Sequence, residues 1–151
     1  MLKLANINDI EQLVELENKM FDETKYFRLS KNEFLKLLNK KSTLLLVWIE
    51  DNIIIGYALA IIINKKHLWF NSLAVSKEFQ STKIAKELFD SIENYAIKGC
   101  FDSIILEIRQ DNKALLRRYK GFKYSECQII ESYYPDGSNA IRMTKKISKE
   151  D

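Results

Sequence analysis

The sequence predicts an α/β (α+β) domain, built as a mixed, mostly antiparallel sheet of about seven strands with flanking helices. Three observations predict it. Helix-like and strand-like periodicities take turns along the chain; three strand-like runs follow one another between residues 43 and 75; and a strand-helix-strand passage then spans residues 68–109. The consecutive strands form an antiparallel meander, and the longer passage forms a parallel crossover. At 151 residues the chain is expected to be one domain, residues 1–151, around one core.

The elements follow in order. "LKLAN" reads as a short first strand, after which Asn8 or Asp9 can cap a helix with Ile10, Leu13, Val14, Leu16 and Met20 at helical spacing. Ser30 and Glu33 form a capping-box pattern before a second helix, whose buried stripe is Phe34, Leu35, Leu37 and Leu38. "TLLLVWIE", the turn "EDN", "IIIGYALAIII", the turn "NKK" and "HLWFNSLAV" make the meander. Ile84, Leu88, Ile92 and Tyr95 mark a third helix, stopped by Gly99, and "FDSIILEIR" returns as a strand. A short helix from Asp111 to about Lys120, a strand from Phe122 to Glu131, the loop "SYYPDGSN" and the strand "AIRMTKKI" complete the order β-α-α-β-β-β-α-β-α-β-β.

Composition narrows the function. Hydrophobic residues make up 46% and charged residues 30%, the balance of an ordinary globular chain. The net charge of +3 is too small to mark a nucleic-acid surface, yet it permits an anionic cofactor. No stretch approaches the roughly 18 apolar residues of a membrane span, and the N-terminus lacks a leader pattern, so a cytoplasmic protein without membrane or nucleic-acid partners is expected. Cys100 and Cys127 fit no Cys-x-x-Cys pattern and are expected to be buried free thiols. His67 is the single histidine, in the turn "NKKH", where it reads as a surface residue. One histidine and two distant cysteines offer neither a hydrolytic triad nor a zinc site, so no metal is expected.

Two stretches carry possible chemistry. "FQSTKIAKELF" lies where a strand gives way to a helix, and the free N–H groups and dipole of a helix start can meet an anion, although any solvated helix start shares them. In "LEIRQDNKALLRRY", Glu107 stands near a strand end, with Asn112 and Tyr119 on one face of the following helix. Taken singly, these residues also read as a strand-end charge and an amphipathic helix.

Together they resemble the GNAT superfamily of acyl-CoA N-acyltransferases, most of all the N-terminal alanine acetyltransferases of ribosomal proteins. "LAV" (Leu73–Val75) followed by "QSTKIA" (Gln80–Ala85) resembles the family's apolar-Ala-Val and Gln/Arg-x-x-Gly-x-Gly/Ala elements. "EIRQDN" resembles Glu-Val-Arg-x-x-Asn, Tyr119 stands twelve residues beyond Glu107, and "YYP" and "NAIRM" echo later elements. The resemblance covers residues 68–143 by motif and the N-terminal part by pattern.

The resemblance implies acetyl-CoA as cosubstrate. Its pantetheine would pair with the backbone of Leu73, Ala74 and Val75. Gln80, Ser81, Thr82, Lys83, Ile84, Ala85 and Lys86 would form the pyrophosphate turn, and Asn112 would hold the pantetheine arm or the helix start. Glu107 would act as base and Tyr119 as acid. The acceptor would be a primary amine, either a protein N-terminus or a small molecule, handled by a monomer or homodimer.

Two departures stand out. Lys83 occupies the place of the first motif glycine, which a negative φ would tolerate. Only Lys120 separates Tyr119 from Gly121, so counting back from the glycine would select Arg117 instead of Tyr119. These departures leave a rival reading, a non-catalytic binding module of the same fold.

Overall fold

The computed structural model describes residues 1–80 and 82–147. Its elements are β1 (Leu2–Leu4), α1 (Ile10–Met20), α2 (Lys31–Leu38), β2 (Thr43–Glu50), β3 (Ile53–Ile63), β4 (His67–Val75), α3 (Ile84–Lys98), β5 (Ser103–Arg109), α4 (Lys113–Gly121), β6 (Ser125–Ile130) and β7 (Ala140–Lys146). The seven strands lie in the order β1-β2-β3-β4-β5-β7-β6, and the β4–β5 pair alone is parallel. The predicted mixed sheet and element order are therefore what the chain forms.

β3 explains its own sequence. Ala58 and Ala60 point into a core shared with α3 and α4, while Tyr57 and Leu59 point into a second core under α1 and α2. A strand buried on both faces loses polar alternation, hence the unbroken "IIIGYALAIII". Gly56 allows close contact there, since a Cβ would lie 3.1 Å from Leu88 Cδ1 and 3.2 Å from the Ala74 carbonyl oxygen.

Several local expectations are corrected. The first helical turn is capped by Asn6, whose side chain accepts from the Asn8 N–H, with Asp9 reaching back to the Asn6 N–H. Asn8 is not a cap, and Asp9 holds the N-cap position of α1 without a side-chain bond to that helix, because a short 3₁₀ turn over Ile7–Asp9 carries the side-chain capping upstream to Asn6. Gly99 ends α3 at φ −82°, and it is Cys100 that takes the left-handed φ of +57°. The Cys100 and Phe101 N–H groups close the helix end on Ile97 and Ala96, and a Cβ on Gly99 would meet Phe101 Cε2 at 2.6 Å. Cys100 and Cys127 are free but exposed, since one sits in this helix stop and the other on the edge strand β6. His67 opens β4, half-buried, with Nδ1 2.7 Å from Ser103 Oγ. Tyr95 is more exposed than its helix stripe predicted, whereas Ile84, Leu88 and Ile92 are buried.

Two features of β4 position the site. Its pairing with β5 runs only through His67↔Ser103, Leu68↔Ile104 and Trp69↔Ile105, after which the strands part. Against β3, Phe70 pairs with Ala60 and Ser72 with Leu59, so Asn71 is an extra residue, a β-bulge. The bulge resets the alternation. Trp69, Ser72 and Ala74 then share the face of Ile61, Leu59 and Tyr57, toward α1 and α2.

Candidate active site

Where β4 and β5 part, a cleft of about 430 Å3 opens. Its walls come from both faces of the sheet. Leu106 and Ile108 belong to the core under α3 and α4, so Glu107 and Arg109, which alternate with them, face α1 and α2. Tyr119, from α4, belongs to the opposite core and still lines the same cleft.

Glu107 is tightly held. Its Oε1 accepts from Trp69 Nε1 at 2.8 Å and its Oε2 from Arg142 Nε at 2.8 Å, and its side chain is 7% exposed. Arg142 is its direct cross-strand neighbour on β7, so the ion pair follows from register. Burial, and next the Glu107 charge, raises the phenol of Tyr133 at the rim.

Tyr119 lies within α4, with its ring edge-on to Phe89, Phe122 and Tyr124. Burial pushes its phenol up to about 12, so it stays protonated at neutral pH. Arg117, the residue selected by counting back from Gly121, is exposed. Asn112 caps α4 by accepting from the Leu115 N–H at 3.2 Å and also lines the cleft.

At the start of α3, Lys83 has φ −78° and ψ 0°, so a side chain is accommodated without the left-handed conformation that favours glycine. Its ammonium reaches outward to Glu87, 3.6 Å away, and Lys86 pairs with Asp90. Ile84 is buried, and Thr82 hydroxyl and N–H both bond the Phe79 carbonyl. Gln80 donates to the Val75 carbonyl at 2.9 Å, tying the turn to the end of β4. Leu73 lines the cleft, while Ala74 and Val75 are buried, so their main chain is the part a ligand could reach. Ser81 lies outside the described residues.

Sequence reasoning missed two groups. Arg109, 6% exposed, donates to Asp136 at 2.7 Å, to Asp111, to Ser138 Oγ and to the Lys25 carbonyl, and its guanidinium sits over the rings of Tyr26 and Tyr134. It joins the segment after α1 to the β6–β7 loop. A charge two residues beyond Glu107 on the same strand face was the available signal. The second group is Glu17, 2% exposed, which bonds the Tyr57 hydroxyl and the Leu29 N–H. Tyr57 Oη in turn lies 2.8 Å from Ser72 Oγ. A lone glutamate inside the apolar stripe of α1 was its signal. Among the described residues, no group of three or more His, Cys, Asp and Glu is placed to hold a metal ion, and no helix is long and apolar enough to cross a membrane.

The pattern of the Acetyltransferase (GNAT) family matches residues 7–124. The chain belongs to the GNAT family. A relative from Methanocaldococcus jannaschii, named an uncharacterized N-acetyltransferase, is 39% identical over 77 residues; that match spans 50% of this chain and 49% of the relative's length. An N-alpha-acetyltransferase of Sulfolobus acidocaldarius is 24% identical over 94% of this chain and 89% of its own. In fold, the chain is similar to the ribosomal-protein-S18-alanine N-acetyltransferase of Escherichia coli, with a TM-score of 0.87 at 19% identity over 100% of this chain and 96% of the other. The GNAT fold therefore extends across all the elements that line the cleft.

Proposed function

We propose that the protein transfers an acetyl group from acetyl-CoA to a primary amine, with a peptide or protein N-terminus as the acceptor class. The observation that carries this reading is that one cleft passes through the sheet, with Glu107 on the α1–α2 face and Tyr119 on the α3–α4 side. An acceptor and a thioester can then approach the gap from opposite faces and meet within it.

The residues fit a CoA thioester. Backbone groups of β4 beyond Trp69 are released from β5 and can pair with an extended pantetheine, and the negative φ at Lys83 leaves the α3 start usable by a pyrophosphate. The thioester supplies the acyl group. Glu107 takes the proton that the amine must lose, directly or through water. Tyr119, kept protonated by burial, gives a proton to the leaving sulfur, and a main-chain N–H of β4 near Leu73 steadies the developing oxyanion. Asn112 fixes the start of α4 and with it the placement of Tyr119. Tyr26, Tyr133 and Tyr134 wall the acceptor side, which favours a peptide over a compact amine.

Calorimetry with acetyl-CoA, followed by a thiol-release assay over free N-terminal peptides and small amines, tests the reading. Micromolar binding and turnover with peptides are expected. No heat at millimolar acetyl-CoA would overturn it in favour of a binding module, and turnover confined to small amines would overturn the acceptor class.

A further inference from the structure

Ser72 is placed by the Asn71 bulge, which turns its hydroxyl onto the face shared with Tyr57, Glu17 and Glu107. Both Glu17 and Ser72 line the cleft. With Glu17 ionised, the chain Glu17–Tyr57–Ser72 runs in one direction. An ionised Glu17 has no proton to give, so its Oε1 accepts the Tyr57 proton while its Oε2 accepts the Leu29 N–H. With its proton committed, Tyr57 Oη accepts from Ser72. Ser72 has then spent its single proton inward, and what its oxygen offers the cleft is lone pairs alone.

Resting on the acetyl-transfer reading, we propose that Ser72 is a hydrogen-bond acceptor for the N–H of the attacking amine, with its polarity set by buried Glu17 through Tyr57. Ser72 touches the nucleophile; Tyr57 and Glu17 are positioning residues that act through it. Such an acceptor holds a charged ammonium, with several N–H bonds to offer, more strongly than the single uncharged amide N–H of an N-acetylated terminus. The charged groups around Glu17 are Arg28 and Glu33, from the segment before α2 and from α2 itself; burial is the largest influence raising its carboxyl, and the Leu29 and Tyr57 bonds oppose it.

Glu17→Gln tests the direction without emptying the site. The Leu29 N–H requires the amide oxygen on its side, which turns the amide NH2 toward Tyr57 and reverses every bond, so Ser72 would present a proton to the cleft. The probe is a short peptide amide with a free N-terminus, compared with its N-acetylated form. Binding is followed by NMR titration and turnover by thiol release, for the wild type, Glu17→Gln, Tyr57→Phe, Ser72→Ala and Ser72→Thr. Expected are a KM for the free peptide raised about tenfold to a hundredfold in Glu17→Gln and Ser72→Ala. The loss should be larger below the amine pKa of about 8 than above it, because charge strengthens the bond. Acetyl-CoA affinity should be unchanged, and Ser72→Thr should restore most of the loss. Wild-type turnover with Glu17→Gln and Tyr57→Phe indistinguishable from it at every pH overturns the inference and leaves the acetyl-transfer reading standing. A wild type that acetylates none of the amines, yet binds the free peptide in a Glu17-dependent way, overturns that reading and supports the acceptor role of Ser72. Equal wild-type binding of free and N-acetylated peptides overturns the inference.

Discussion

Trp69 Nε1 lies 2.8 Å from Glu107 Oε1, so side chains of β4 and β5 remain joined just as their backbones stop pairing. Arg142 completes the grip from β7. The candidate base therefore also serves as a bracket across three strands.

For that reason Glu107→Gln is expected to cost stability as well as rate. Trp69 and Arg142 both donate, and an amide can accept from one of them while its NH2 confronts the other. Denaturant unfolding should show a loss of roughly 1–3 kcal/mol, and turnover should fall by about a hundredfold or more. An unaltered unfolding midpoint would show that the two bonds are incidental.

Tyr119→Phe separates chemistry from packing. The rings of Phe89, Phe122 and Tyr124 would keep their contacts, so the thermal midpoint and acetyl-CoA affinity should hardly move while kcat falls by about a hundredfold. With its phenol pushed up to about 12, Tyr119 is protonated through neutral and mildly alkaline pH. An alkaline decline in kcat centred near pH 9 that disappears in Tyr119→Phe would contradict this placement.

Lys83→Gly addresses the missing glycine. At φ −78° the lysine relieves no strain by being removed, so acetyl-CoA affinity should stay within about threefold, and helix stability should change by a few tenths of a kcal/mol. Tightening by two orders of magnitude, read by calorimetry, would mean that the turn needs a conformation that lysine blocks.

Arg109 holds the Asp136 carboxyl well below the usual carboxylate range. A depressed folded-state pKa adds stability that is fully present above the ordinary aspartate value of about 3.9 and is lost as pH falls through the lower folded value. Acid unfolding followed by circular dichroism should accordingly flatten below about pH 4 in Asp136→Asn, with lower stability at pH 7. A variant with an unchanged acid limb would dissociate the ion pair from folding.

The strands between residues 43 and 75 were legible because burial on one or both faces writes itself into residue choice, and their bounds match the sequence reading residue for residue. Glu107, Asn112 and Tyr119 were legible as an ordered set, and they do meet at one cleft. The bulge at Asn71 was not, since an inserted residue leaves no mark in composition once strand partners are unknown. Arg109 hid its purpose because, beyond nearby Asp111, the groups it joins lie far along the chain, Asp136 27 residues away and the Lys25 carbonyl 84 residues away. Cys100 misled because its apolar neighbours belong to a helix that ends at that point, turning the thiol outward.

The seam between β4 and β5 is three residue pairs long, so the two halves of the sheet are hinged more than welded. A molecule threaded into the gap would lend the main-chain bonds that neither strand can give the other, and so act as a splint. Amide hydrogen exchange along Asn71–Val75 should then slow sharply once the thioester is added, while β3, already bonded on both edges, keeps its pace.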